Sequence, residues 1–301
     1  MMSDENKQPN INNGETRSFC WSVKRELWEN RSIYIVPLIV AGVELFGFAV
    51  STRGLAERRR AVLLLDAAHQ RAGIELPYDI AAIMLIMTAF IVGLFYALDA
   101  LYGERRERSI LFWKSLPVSD LTTVLSKTSI PLVILPVITF AVIVVLHLIM
   151  FMMTSVVLWM HGLSAATTWT HIPFFQNWMV LLYGLVAIAL WHAPIYGWAL
   201  LISGWVRRAT FLWAVLPLLV IGIFEKITFN TSHFAAFVKD RVLGFAAEAF
   251  DFQAHHGVAI DSLTQLTPGR YLATPGLWVG LLFAVACIAA AIQLRRYRGP
   301  L

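Results

Sequence analysis

The chain has 301 residues, of which 58% are hydrophobic and only 14% charged. A soluble domain of that size carries about a quarter charged residues, so the composition excludes an ordinary water-soluble globule. The net charge of +5 falls mostly between long apolar runs, where it reads as membrane topology and not as a nucleic-acid surface.

The elements follow in chain order. Residues 1–16 are polar and lack the apolar core and small-residue cleavage site of a secretory signal. They are predicted as a disordered cytoplasmic tail, with 17–301 forming a single transmembrane domain. In 17–31, Phe19, Val23 and Leu27 recur four apart with Trp28 beside them. That spacing predicts an amphipathic helix lying in the membrane surface, with Lys24, Arg25, Glu26 and Glu29 turned away from its apolar face.

Apolar runs of about 18 residues or more are long enough to cross a bilayer as helices. Spans are predicted over 33–50, 80–101, 129–159, 178–202, 211–224 and 275–294. Between the first two lies a polar stretch, 51–79, carrying Arg58, Arg59 and Arg60; a helical excursion outside the membrane is expected there. The third run is longer than a bilayer needs, and is expected to tilt, protrude or break near Pro131 or Pro136. The fifth is short for a crossing. Arg207 and Arg208 in a tight turn, with Arg295, Arg296 and Arg298 after the last run, put both termini in the cytoplasm, although Arg58 to Arg60 run against that rule. Trp159, Trp169, Trp178, Trp205 and Trp213 fall near span ends, as in an aromatic belt. The expectation is an all-α, multi-pass protein of the cell membrane, a bacterial inner membrane, in contact with lipid.

Ionisable groups inside a span are costly and mark candidate function. Glu44, His147 and His192 are the candidates for lining a translocation path; Asp99 is expected to reach the interface and pair with Arg105 or Arg106. His255 and His256, with Asp251 and Asp261 nearby, read as a solvated loop, and no metal site is predicted. Cys20 and Cys287 are placed too far apart for a disulfide. Gly276 and Gly280 permit close helix packing. The stretch 234–250 is amphipathic, suited to dipping into the outer leaflet or gating an exit.

The most informative segment lies between the second and third spans. It opens with Glu104, Arg105, Arg106, Glu107 and Arg108, continues with the apolar patch Ile110, Leu111, Phe112 and Trp113, and breaks at Leu116, Pro117 and Val118. Ser119 or Asp120 then caps a new helix running to Lys127. Two short helices joined at a proline make a stiff docking surface, with an apolar anchor and charges that set its register.

That order of acidic-basic start, apolar patch, Pro117-Val118-Ser119 and a lysine eight residues on resembles the permease subunits of type-2 ABC transporters. The layout of N-terminal interfacial helix, six spans and a long segment before the last is similar as well. The resemblance implies that Glu104, Arg105, Arg106, Ile110, Phe112, Trp113, Pro117, Val118, Ser119 and Asp120 form a cytoplasmic coupling helix region that docks on an ATP-binding subunit. It implies two such subunits and a second permease chain, identical or related. The sequence contains no G-x-x-x-x-G-K-[ST] phosphate loop. ATP and Mg are therefore expected on the partner, no cofactor is expected on this chain, and the chain is not expected to be an enzyme. Sparse charge within the spans points to hydrophobic or amphiphilic cargo, and the resemblance implies an exporter that would move it outward. The alternatives are a membrane-embedded lipid-modifying enzyme, for which neither H-E-x-x-H nor G-x-S-x-G is present, and a non-transport scaffold subunit of an ABC-like complex.

Overall fold

The computed structural model describes residues 11–115, 118–164, 166, 168, 173–251 and 263–298. The described residues form helices and no strand; one isolated antiparallel bridge joins Phe250 to Leu266. Six helical stretches are long and apolar enough to cross a membrane: Ser32–Val62, His69–Arg106, Asp120–Met160, Phe174–Trp205, Thr210–Phe229 and Pro275–Tyr297.

Helix α1 (Ile11–Glu29) begins before the expected position 17. The first span is α2 (Ser32–Ser51), extended by a short 3-10 turn and α3 (Leu55–Val62). Helix α4 (Ala67–Asp99) starts well before the predicted 80, so most of the supposed polar excursion is helix. After it come α5 (Tyr102–Arg106), α6 (Ser109–Ser115) and α7 (Asp120–Ser129). Arg108, between α5 and α6, has φ 58°, a left-handed value that lets the chain turn sharply.

The long third run resolves into α7, a π-helical turn at Ile130–Ile134 and α8 (Leu135–Met160). Pro131 lacks the N–H that an α-helix requires, and the wider turn absorbs the defect without ending the helix. At 1.5 Å per residue the whole stretch is about 60 Å long and protrudes beyond a ~30 Å hydrocarbon core. Helix α8 stops where Gly162 takes φ 70°, with Leu163 N–H donating to Leu158 O at 2.9 Å and Gly162 N–H to Trp159 O at 3.1 Å. Only glycine enters that left-handed cap without steric cost.

Helix α9 (Phe174–Trp205) is the central, mostly buried column, packed against α4, α8 and the last span. Helix α10 (Thr210–Phe229) reaches the length of a crossing that 211–224 lacked, and closes on Asn230 at φ 50°. The chain folds back through α11 (His233–Leu243), α12 (Phe245–Ala249) and α13 (Pro268–Ala273) before the final span, α14 (Pro275–Tyr297). Val43, Phe46, Ile221, Phe224 and Leu282 are exposed. In water such a surface would aggregate; against lipid tails it has no cost.

The tightest seam joins α9 to α14. A Cβ on Gly197 would stand 3.1 Å from Ala284 Cα and 3.2 Å from its carbonyl oxygen, both backbone atoms that cannot swing aside. Gly280 has a different role from the helix-helix contact its spacing invites: a Cβ there would meet the Arg241 guanidinium at 2.7 Å. Gly197→Leu is expected to force the two helices apart and cost about 1–3 kcal/mol, the usual range for overpacking. A thermal melt of the detergent-purified chain reads this directly, and an unchanged melt would mean that the seam is looser than described.

Candidate functional site

Where the C-terminal end of α14 meets α1, α5 and α7, the bundle gathers six charged side chains, three of each sign: Glu26, Glu104, Lys127 and Arg295 are buried, and Arg25 and Asp120 are half-buried. Glu26 of α1 is fully buried. Its Oε1 accepts from Lys127 Nζ at 2.8 Å and from Arg25 Nη2 at 2.7 Å, and its Oε2 accepts from the Tyr96 hydroxyl of α4 at 2.8 Å. Glu104 of α5 faces Lys127 at 3.2 Å, Arg25 at 3.5 Å and Arg295 of α14 at 3.0 Å. Arg295 also holds Asp120, the first residue of α7, at 2.7 Å. Five helices are thereby joined through one cluster.

Local sequence explains how each member arrives. Ser22, Val23, Glu26 and Leu27 lie on one arc of α1, and that arc packs inward. The sequence reading turned Glu26 outward with the other charges. The fold instead places it on the inner arc, because Lys127 and Tyr96 meet it there. Lys127 closes α7, Arg295 ends α14 and Glu104 sits one turn past α4, so all three long side chains extend from helix ends toward the same point. Glu26 lies outside the spans. Burial pushes its carboxyl up, but Lys127 and Arg25 outweigh that, and its pKa is held below the usual 4.5.

Beside the cluster, the break between α4 and α5 is fastened to α9. Ser203 Oγ accepts from Leu101 N–H at 3.0 Å and Tyr102 N–H at 2.9 Å. Arg105 Nη1 donates to Gly204 O at 2.8 Å and Val206 O at 3.2 Å, satisfying carbonyls that the end of α9 leaves open.

The segment singled out from sequence therefore divides in two. Glu104, Arg105 and Ile110 are buried within the chain. Ser119 caps α7, with Thr122 N–H donating to its Oγ at 3.0 Å, and Asp120 is engaged by Arg295. Val118 is half-buried. Arg106 is exposed, 3.3 Å from Glu107, and Leu111 and Phe112 are about 60% exposed (59% and 60%). Pro117 and the Trp113 side chain lie outside the described residues. Asp99 is exposed and does not reach Arg105 or Arg106, whose donors go to the carbonyls of α9 and to Glu107.

The three path candidates are not brought together. Glu44 is half-buried on α2, and neither carboxylate oxygen has a hydrogen-bond partner. His147 Nε2 contacts Tyr78 O at 3.0 Å, far from the charged cluster. His192 Nε2 faces Val242 O at 2.9 Å; a nitrogen facing a carbonyl must carry the proton. His192 belongs to a second anchor that sequence reading missed. Trp191 Nε1 donates to Asp240 O at 3.1 Å, Arg241 stacks on Trp191 at 4.6 Å and donates to Gly276 O at 2.8 Å, and the Tyr271 hydroxyl donates to Ala187 O at 2.8 Å. These bonds seat α11 to α13 in the fork between α9 and α14. Among the described residues no three His, Cys, Asp or Glu side chains converge as metal ligands. His255, His256 and Asp261 lie outside those residues.

No family model matches the chain, and no curated protein or solved structure matches it either. The apolar helices and their lipid-suited surface define an all-α, multi-pass membrane protein.

Glu26→Gln leaves Lys127 as an under-compensated buried cation, and is expected to destabilise the chain by about 3–5 kcal/mol. A wild-type melt for that variant would remove the cluster from its structural role. The sign of the pH dependence follows from the lowered folded value. The unfolded carboxyl binds a proton more readily, so the contribution of Glu26 is full above its unfolded pKa and is lost as pH falls through the folded one. Wild type should lose stability more steeply than Glu26→Gln on acidification below 4.5, measured as melting temperature against pH.

Proposed function

We propose that the chain is the permease subunit of a type-2 ABC exporter, moving a hydrophobic or amphiphilic molecule outward across a bacterial inner membrane. A separate subunit would bind ATP and Mg and supply the energy. A second permease chain, identical or related, would complete the pathway. Both termini then lie in the cytoplasm.

The observation that carries this reading is the coincidence, at one end of the bundle, of a rigid elbow and an exposed apolar knob. The elbow is formed by α5 and α7, which Glu104, Arg105, Lys127 and Asp120 hold in place, with Ile110 of α6 buried beside them. The knob is Leu111 and Phe112 on α6, with Arg106 nearby to set register. A partner pressing on α6 would bear on α5 through the turn at Arg108. The load passes through the ion pairs to α1, α4 and α14 and through Arg105 to the foot of α9. In this reading Glu104 and Arg105 serve the coupling helix from inside, by stiffening it, and the docking contact falls to Leu111 and Phe112. Helix α1, with Trp21 and Trp28 exposed and Lys24 over both rings at 5.3 and 5.1 Å, suits the interface, where aromatic and basic side chains gather. Glu44, His147 and His192 stand as path candidates on three different helices.

The test is co-expression with ATP-binding subunits encoded beside this chain. Wild type should co-purify with one of them. Leu111→Ser with Phe112→Ser should reduce recovery of that partner at least tenfold while membrane insertion and melting temperature stay unchanged. Ile110 is left intact because it is buried. Failure of the wild type to retain any ATP-binding subunit, or full retention by the double variant, would sink the proposed coupling surface.

A further inference from the structure

Three arginines stand against the topology rule at the other end of the molecule, and only one of them is hidden. Arg58 and Arg60 are exposed, while Arg59 is 5% exposed. Arg58 Nη2 donates to Ser51 O. Arg59 Nη1 is buried without a hydrogen-bond partner. A buried cation that lacks a compensating acceptor is costly, and its neighbours could have been carboxylates. They are not.

Arg59 instead lines a cavity of about 270 Å³ between α2, α3, α4 and α8, whose lining contains no acidic residue. Ser51, Arg58, Arg59, Tyr78 and Thr154 supply its polar part, and the Tyr78 hydroxyl lies 3.3 Å from Thr154 Oγ1. Phe48, Leu55, Ile74 and Pro77 form the apolar wall. Along α4 the cavity residues, 73–78, lie 18 to 23 residues from Tyr96 of the charged cluster, or roughly 27–35 Å at 1.5 Å per residue. With a hydrocarbon core of ~30 Å, that places it at the opposite head-group level.

We infer that this cavity binds an anionic amphiphile, a single carboxylate or phosphate head with an alkyl chain. The head completes the hydrogen bonding of Arg59 and pairs with both guanidiniums, and the first methylenes lie along the Phe48 and Leu55 wall. Two arginines without a carboxylate select the charge. The apolar wall selects against a free anion, which would leave that surface wetted. The Tyr78 and Thr154 hydroxyls offer further donors to the head. The inference does not depend on the transport reading, since the cavity is remote from the proposed coupling surface.

Native mass spectrometry of the full chain in a neutral detergent tests it, with lysophosphatidic acid and a long-chain fatty acid as anionic probes. Lysophosphatidylcholine serves as the zwitterionic control and inorganic phosphate as the head alone. One-to-one adducts are expected with the anionic probes. Arg59→Gln should weaken them at least tenfold, and Arg60→Gln, an exposed neighbour on the same helix, less than twofold. Leu55→Trp, which fills the wall and keeps Arg59, should also weaken binding at least tenfold, and it carries the test if Arg59→Gln fails to fold. Equal losses from Arg59→Gln and Arg60→Gln would reduce the effect to surface charge. Equal binding of the zwitterion, displacement by inorganic phosphate at the same concentration as by the fatty acid, or an unaffected Leu55→Trp would each overturn the site.

Discussion

The structure depends on the cost of hiding charge. Glu26, Glu104, Lys127 and Arg295 lie where water does not reach them, and there an unpaired ion loses several kcal/mol of solvation. Each is tolerable only while the others are in place, and each sits on a different helix. Apolar packing between membrane helices is permissive, because lipid tails satisfy an apolar side chain as well as a neighbouring helix does. The ion cluster is not permissive. It accepts one rotation of α1 and one register of α7 against α14, and so it selects the arrangement that dispersion forces then fill.

The same logic, with weaker groups, operates toward the other face. There the bonds run from side chain to backbone: Trp191 to Asp240 O, Tyr271 to Ala187 O, Arg241 to Gly276 O. These hold α11 to α13 without surrounding them in compensating charge. The molecule thus has one end braced by buried ion pairs and another braced mainly by hydrogen bonds and aromatic contacts, with the more exposed Arg270–Glu248 pair at 3.5 Å between α12 and α13. In the exporter proposed above, force would enter through the ion-paired end and rearrangement would fall at the other.

The spans were legible because twenty consecutive apolar residues have few alternative fates. Helix boundaries were less so. Residues 67–79 look polar, yet α4 begins there, because a helix protruding beyond the lipid can carry Arg71 and Glu75 as an i,i+4 pair at 3.2 Å. Of the site, the pattern of charge and apolar residues in 102–127 was visible, and which of them the fold buries was not. Sequence marks Glu104 and Arg105 as charged, and charge in a loop ordinarily means exposure; only tertiary contact reveals Lys127 and Gly204 O waiting for them. Glu26 was recoverable in principle, since it shares an arc with Val23 and Leu27, but an acidic residue among polar neighbours looks like part of the polar face. The Arg241 anchor left no sequence signal beyond a glycine, Gly280, whose missing side chain makes room for it.

The last span bears fastenings at both ends. Its beginning receives Arg241 at Gly276 and Gly280, and its end delivers Arg295 to Glu104 and Asp120. During synthesis the ribosome makes α1, α5, α7 and α11 well before the helix that locks them. Until α14 has entered the bilayer, Glu104 lacks one of its cations and Arg241 lacks one of its two carbonyl acceptors, so the earlier helices are held by only part of their final bonding. The sixth span therefore completes the fastenings at both ends of the bundle with a single helix.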